Sequence, residues 1–169
     1  MPSLIPLPAL VEWGEGEYVL TDRSTIGCHA GAGPEEAEAV RAARLVLSTT
    51  TGLPMPLADE PGILVGIDPD LPAEGYRLEV RSDGVNISAA DRRGALWAAQ
   101  TLLQLGGDDV YTAALGRPVR VATARIEDSP RFAWRGAMLD SARHFLHVAE
   151  ILDFIDWMAR HKLNVTAVQ

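Results

Sequence analysis

The chain has 169 residues, with 15 Lys plus Arg against 23 Asp plus Glu and a formal net charge of -8. That length suits one domain, or one domain with part of another, and the 47% apolar and 22% charged shares are those of a globular protein rather than a disordered one. The acidic balance argues against a nucleic-acid binder built on phosphate neutralisation, the single cysteine, Cys28, excludes an internal disulfide framework and a cysteine-rich zinc site, and no apolar run approaches the roughly 18 residues of a spanning helix.

Residues 1–8 are rich in proline and lack a basic start, which does not fit a signal peptide. Cytoplasmic location is therefore the default, with secretion expected only if a leader was removed. Residues 11–13 and 18–20 flank Gly14-Glu15-Gly16-Glu17 and predict a hairpin with a glycine-containing loop. A third short run, 24–28, precedes a break at Gly31-Ala32-Gly33. Pro34, followed by Glu35 and Glu36, starts a helix by fixing φ and placing carboxylates at the positive dipole end. Its buried stripe is Ala39, Val40, Ala43, Val46 and Leu47, and Thr49 through Pro54 ends it. Residues 62–67 are continuously apolar, as in a strand covered on both faces. Residues 76–81 alternate, so Tyr76, Leu78 and Val80 should share a buried side; Ser82-Asp83-Gly84 turns the chain and 85–87 resume the alternation. Asp91 can cap a helix that buries Ala95, Leu96, Ala98, Ala99, Leu102 and Leu103 and stops at Gly106-Gly107. Residues 119–126 read as one more strand. The expectation for residues 1–130 is an α+β domain, a mainly antiparallel sheet with two helices on one face.

Past Asp128-Ser129-Pro130 the pattern changes. Residues 136–139 are apolar throughout, as in a buried parallel strand. Val148, Ile151, Leu152, Ile155, Met158 and Ala159 then recur at helical spacing, with Glu150, Asp153, Asp156 and Arg160 on the other side. Lys162-Leu163-Asn164 ends that helix and residues 165–168 are extended. Residues 131–169 are thus one βα unit plus the start of a second strand, and such a unit cannot bury both its faces alone.

The stretch from Asp128-Ser129-Pro130-Arg131-Phe132-Ala133-Trp134-Arg135 through Gly136-Ala137-Met138-Leu139-Asp140-Ser141-Ala142-Arg143-His144-Phe145, and on to Lys162-Leu163-Asn164, resembles the entry to the catalytic barrel of family-20 glycoside hydrolases, the β-N-acetylhexosaminidases. Glu74-Gly75-Tyr76-Arg77-Leu78 and Gly94 through Leu105 resemble that family's noncatalytic amino-terminal domain. The resemblance implies a noncatalytic α+β domain over 1–130, followed over 131–169 by the first strand and helix of a truncated (β/α)8 barrel. In such barrels working residues sit at the carboxyl ends of strands. The arginine matching Arg143 is implied to grip the 3- and 4-hydroxyls of a terminal sugar, a task suited to planar guanidinium donors. Position alone favours a surface arginine on a connecting loop, and the motif around it reverses that preference. Asp140 could hold that guanidinium or cap a nearby loop.

The family reaction is substrate-assisted: the carbonyl oxygen of a 2-acetamido group attacks the anomeric carbon while an adjacent Asp-Glu pair orients that group and protonates the leaving oxygen. No adjacent Asp-Glu follows residue 128, and Asp59-Glu60 lies before a strand of the first domain, so no catalytic residue is assigned and this chain alone is expected to be inactive. Residues 165–169 lack the histidine the family usually carries there. Arg135 reads as structural and Trp97 as core. His144 and His147, with Glu150 as the one nearby third candidate, read as surface or hinge histidines rather than metal ligands, so no metal or cofactor is implied. The implied partners are glycans bearing N-acetylhexosamine, with neither nucleic acid nor membrane. The competing expectation is a noncatalytic binding module that self-associates through the apolar face of 148–161; a third is that residues 131–169 fold back on the first domain.

Overall fold

The computed structural model describes residues 2–112 and 114–168. They fall into two compact units, Met1–Pro130 and Arg131–Gln169. No helix among the described residues is long and apolar enough to cross a membrane.

The first unit contains β1 (Leu10–Leu20), β2 (Ile26–Gly27), α1 (Pro34–Thr51), β3 (Ile63–Ile67), β4 (Tyr76–Arg81), β5 (Gly84–Ala89), α2 (Arg92–Gln104), α3 (Asp109–Thr112) and β6 (Val119–Asp128). The strands form one sheet in the order β1-β6-β4-β5-β3-β2. Pairing is antiparallel from β1 through β5, and β3 joins β5 and β2 in parallel. The mixed α+β layer with a mostly antiparallel sheet is therefore as the pattern predicts. Register aligns the apolar positions across strands: Val85 faces Ile63 and Val80, Ile87 faces Val65 and Leu78, and Leu78 faces Ile126. These residues join Ala39, Val40, Ala43 and Leu47 of α1 and Ala95, Ala98, Ala99, Leu102 and Leu103 of α2 in one core. The period-two and period-3.6 stripes meet there because each element has only one apolar side to hide.

Two expectations for the first unit fail. Residues 11–20 are not a hairpin but a single strand, β1, paired along its length with β6. The glycines serve a bulge: the register slips between Trp13 and Glu17, Gly16 takes φ 93°, and Thr123 Oγ1 donates to the Gly16 carbonyl at 3.1 Å. A bulge absorbs extra residues without reversing the chain. Nor is β3 covered on both faces. Ile63 and Val65 are buried, while Leu64 and Gly66 on the opposite side are only half-buried. Both main helices contribute to the core on one side of the sheet, and the apolar run was long enough to hide that asymmetry.

The first turn of α2 is anchored unusually firmly. Asp91 Oδ1 accepts from the backbone N–H of Arg93 and Gly94, at 2.8 and 2.9 Å, and Gly94 sits so close to the chain before β4 that a Cβ would lie 2.4 Å from the Gly75 carbonyl. Glu74, buried and at φ 60°, accepts from Trp97 Nε1 at 2.9 Å and from Arg93 Nη1 at 3.3 Å. Next to it the Tyr76 hydroxyl pairs with Thr101 Oγ1 at 2.7 Å and donates to Asp128 Oδ2 at 3.2 Å. Burial, then the Asp128 charge, raises the Tyr76 phenol well above its ordinary value of 10.0. Trp97 is thus a core residue with a satisfied N–H, as the sequence suggested.

In the second unit β7 (Gly136–Leu139) pairs in parallel with β8 (Val165–Val168) across α4 (Val148–Arg160). The helix turns into β8 through Lys162, at φ 58°. Asn164 closes that turn, its Oδ1 accepting from Arg135 N–H at 3.0 Å and its Nδ2 donating to the Ala133 carbonyl at 2.9 Å. Arg135 spends its guanidinium on the Lys162 and Phe132 carbonyls, both at 2.8 Å. β7 is parallel as expected, yet it is not buried: Met138 is 59% exposed, and along α4 only Met158 is buried.

Replacing Tyr76 by Phe should cost about 1–3 kcal/mol in urea unfolding, because the buried Thr101 and the half-buried Asp128 lose a partner. The same phenol should give alkaline lability. Its stabilising contribution is intact below pH 10.0 and declines as pH rises beyond that value, where the unfolded chain's phenol ionises and the buried one resists. Absorbance titration against the Phe variant would read this directly.

Candidate functional site

The chain leaves β7 at Asp140 and turns through Ser141, Ala142 and Arg143 before reaching α4. Asp140 organises that turn with both oxygens. Oδ1 accepts the backbone N–H of Arg143 at 3.0 Å and Oδ2 accepts the guanidinium Nε. The two roles weighed for this carboxylate, capping the loop and holding the guanidinium, are met at once. The backbone bond from Arg143, reinforced by its guanidinium and by the Ala142 N–H, lowers the Asp140 pKa below its ordinary value of 3.8. A carboxylate that accepts several N–H groups is favoured in its charged form.

Arg143 is 83% exposed and its Nη1 and Nη2 make no bond to other described residues. The side chain is thus tethered at Nε and open at its fork, just past the end of β7. Two donors remain in one plane for neighbouring oxygens of a ligand.

The other weighed residues do not assemble here. Glu150 Oε2 accepts the backbone N–H of His147 at 2.7 Å, closing the start of α4, and the His147 ring meets Phe145 edge-on at 5.3 Å. No group of three His, Cys, Asp or Glu among the described residues is placed to hold a metal ion. Asp59, in the loop before β3, lines a separate shallow cavity in the first unit with His29 and Asp83. The Glu74 cluster was missed by sequence reasoning; a buried carboxylate looks no different from an exposed one until its tryptophan partner, 23 residues away, is placed beside it.

Comparison with known proteins divides the chain at Pro130–Arg131, where the two compact units also part. Residues 1–129 match "Glycosyl hydrolase family 20, domain 2" and residues 132–167 match "Glycosyl hydrolase family 20, catalytic domain". A beta-hexosaminidase of Porphyromonas gingivalis is 34% identical over 168 residues, covering 96% of this chain and 22% of that protein. A beta-N-acetylhexosaminidase of Cellulomonas fimi is 35% identical over 173 residues, covering 96% of this chain and 33% of its own. The crystallised GH20 beta-N-acetylhexosaminidase of Streptomyces coelicolor A3(2) superimposes with a TM-score of 0.80 at 35% identity, over 98% of this chain and 34% of that one. The chain therefore spans about a fifth to a third of the length of these relatives.

Carboxyl NMR titration should place the Asp140 midpoint below 3.8, and Arg143→Ala should raise it only in part, because the backbone N–H of residue 143, the larger cause, remains. Because the folded value is the depressed one, the clamp is fully formed above the ordinary carboxylate range and lost as pH falls through the lowered midpoint.

Proposed function

Because the chain belongs to glycosyl hydrolase family 20, we propose that it is part of a β-N-acetylhexosaminidase that removes terminal N-acetylglucosamine or N-acetylgalactosamine from glycans. The observation that carries this reading is the Asp140–Arg143 clamp at the exit of β7. In this reading residues 1–130 are the noncatalytic α+β domain, and residues 131–169 are the first strand, helix and second-strand start of a (β/α)8 barrel. The parallel β7-α4-β8 arrangement supports it, as does a Streptomyces plicatus beta-hexosaminidase solved with its product GlcNAc, which superimposes with a TM-score of 0.81 at 34% identity.

The chemistry assigned to this chain is recognition rather than bond cleavage. Arg143, oriented by Asp140, donates its two free guanidinium nitrogens to adjacent hydroxyls of the terminal sugar. The substrate's own acetamido oxygen is the nucleophile in this reaction class. The acid that protonates the leaving oxygen and the aspartate that orients the acetamido group are assigned to no residue among 131–169.

A second reading is favoured by one observation, the exposed apolar side of α4, where Val148, Leu152 and Ile155 are 72%, 56% and 44% exposed. In that reading the chain is a noncatalytic module that dimerises through this helix. Sedimentation at micromolar concentration separates the two, since a monomer without concentration dependence counts against the dimer.

The direct test is hydrolysis of a chromogenic N-acetylglucosaminide. The 169-residue chain should show none, whereas an active polypeptide that includes it should lose about ten- to a hundredfold in kcat/KM on Arg143→Ala. That range corresponds to about 1.5–3 kcal/mol of charge-assisted hydrogen bonding. Unchanged kinetics in the variant would remove the sugar-gripping role of Arg143.

A further inference from the structure

The side of the sheet away from the helices is polar, flat and laced with ion pairs. Arg77 bonds Asp68 at 2.9 Å and approaches Glu127 at 3.6 Å, Arg81 meets Glu79 at 2.7 Å, and Arg125 meets Glu127 at 2.8 Å. Among these strands lies a depression of about 490 Å³ bordered by His29, Arg77, Glu79, Asn86, Ser88 and Arg125, within the size range of small-molecule sites. Its floor includes Gly66.

Gly66 is the informative residue. It lies in β3 opposite Ser88 of β5, beyond the reach of β2, which pairs only with Ile63 and Leu64, so the other edge of β3 is open there among the described residues. Its backbone is not in the left-handed region, and a Cβ built there meets nothing within 4 Å. A β-branched residue would suit a strand better, and glycine inside a strand weakens it. Nothing in the chain's own packing requires the missing side chain. Such a glycine leaves room for a ligand to approach the backbone closely.

We propose that this depression is a second glycan-binding site, one that takes a neutral oligosaccharide across the face of the sheet. The proposal rests on the glycan-hydrolase reading for its ligand class and adds a site separate from Arg143. Charge balance selects the occupant. Each arginine here already faces a carboxylate, so an anion would meet Asp68, Glu79 and Glu127, and a cation would meet Arg77 and Arg125. A neutral polyol meets neither penalty. Planar donors and acceptors held in place by those ion pairs can bond hydroxyls in pairs, at little ordering cost on binding. The Asn86 amide and the Ser88 hydroxyl make no hydrogen bond within the described residues, so both are available to a ligand. Cross-strand register puts Ser88 beside both Gly66 and Arg77, and Asn86 beside Glu79. The floor and its polar rim are therefore contiguous.

The test is amide chemical-shift mapping of the 169-residue chain titrated with a tetramer of N-acetylglucosamine. Shifts should gather at Gly66, Arg77, Asn86 and Ser88. Gly66→Leu should abolish them by filling the depression, with a thermal unfolding midpoint no lower than that of the parent. The surface double variant Asn86→Ala/Ser88→Ala should weaken binding about tenfold, and it decides the question should the leucine variant misfold. Arg143→Ala should leave these shifts unchanged. An absence of shifts at millimolar tetramer, shifts confined to residues 140–143, or binding that survives both sheet variants would overturn the proposal. Hydrolysis by a longer active polypeptide is read separately. Intact hydrolysis without sheet binding sinks this site alone, and sheet binding without hydrolysis sinks only the hydrolase reading.

Discussion

The first unit is organised around a carboxylate that has no business inside a protein unless it is bonded. Glu74 is 7% exposed, and removing such a charge from water costs several kcal/mol unless donors replace the lost hydration. Trp97 Nε1 and Arg93 Nη1, both from the first turns of α2, supply them. The same turns are held by Asp91 and pressed against the Gly75 carbonyl at Gly94. Helix α2 is therefore fixed at its amino end, in rotation as well as position. Once it is fixed, Thr101 reaches the Tyr76 hydroxyl, and that hydroxyl reaches Asp128 at the end of β6. One buried charge thereby ties the starts of β4 and α2 to the last residues of the unit.

That anchoring explains why the sheet has two unlike faces. With both long helices committed to one side, the apolar positions of β3, β4, β5 and β6 must face that side, and the opposite positions are left to water. The charges there are arranged as cross-strand and near-neighbour pairs, Arg77 with Asp68 and Arg125 with Glu127. At such exposure each pair adds at most about 1 kcal/mol. Their larger effect is to hold planar groups in fixed orientations around Gly66.

Much of the first unit was legible because its signals are local. The Tyr76–Ala89 hairpin announces itself through alternation around Ser82-Asp83, and the Asp91 cap through its place ahead of Arg93 and Gly94. What escaped depends on partners distant in sequence. The glycines in residues 14–17 look like a turn until β6, more than a hundred residues away, pairs with both flanking segments and turns the loop into a bulge. The apolar run of β3 cannot say that helices cover it on only one side. At the candidate site the surrounding family-like motif, more than their place after a strand, singles out Asp140 and Arg143, and the sequence leaves Asp140 open between capping the loop and holding the guanidinium. One carboxylate with two oxygens can satisfy a backbone and a side-chain donor together, and sequence spacing alone does not decide whether it does.

The Asp140–Arg143 clamp differs from the Glu74 network in what it needs. The network draws on residues from four segments of the first unit, whereas the clamp uses two residues three positions apart and backbone they already share. The second unit leaves Val148, Leu152 and Met138 largely exposed, yet the guanidinium is oriented regardless. A donor fork held before a ligand arrives loses less freedom on binding than a free arginine would. Lysine at 143 could keep the charge but not this geometry, because Nε is where Asp140 takes hold and only the guanidinium has two further nitrogens beyond it. In the proposed reading, orientation by Asp140 and recognition by the terminal nitrogens are therefore separable within one side chain, and the turn that joins them is encoded within four consecutive residues.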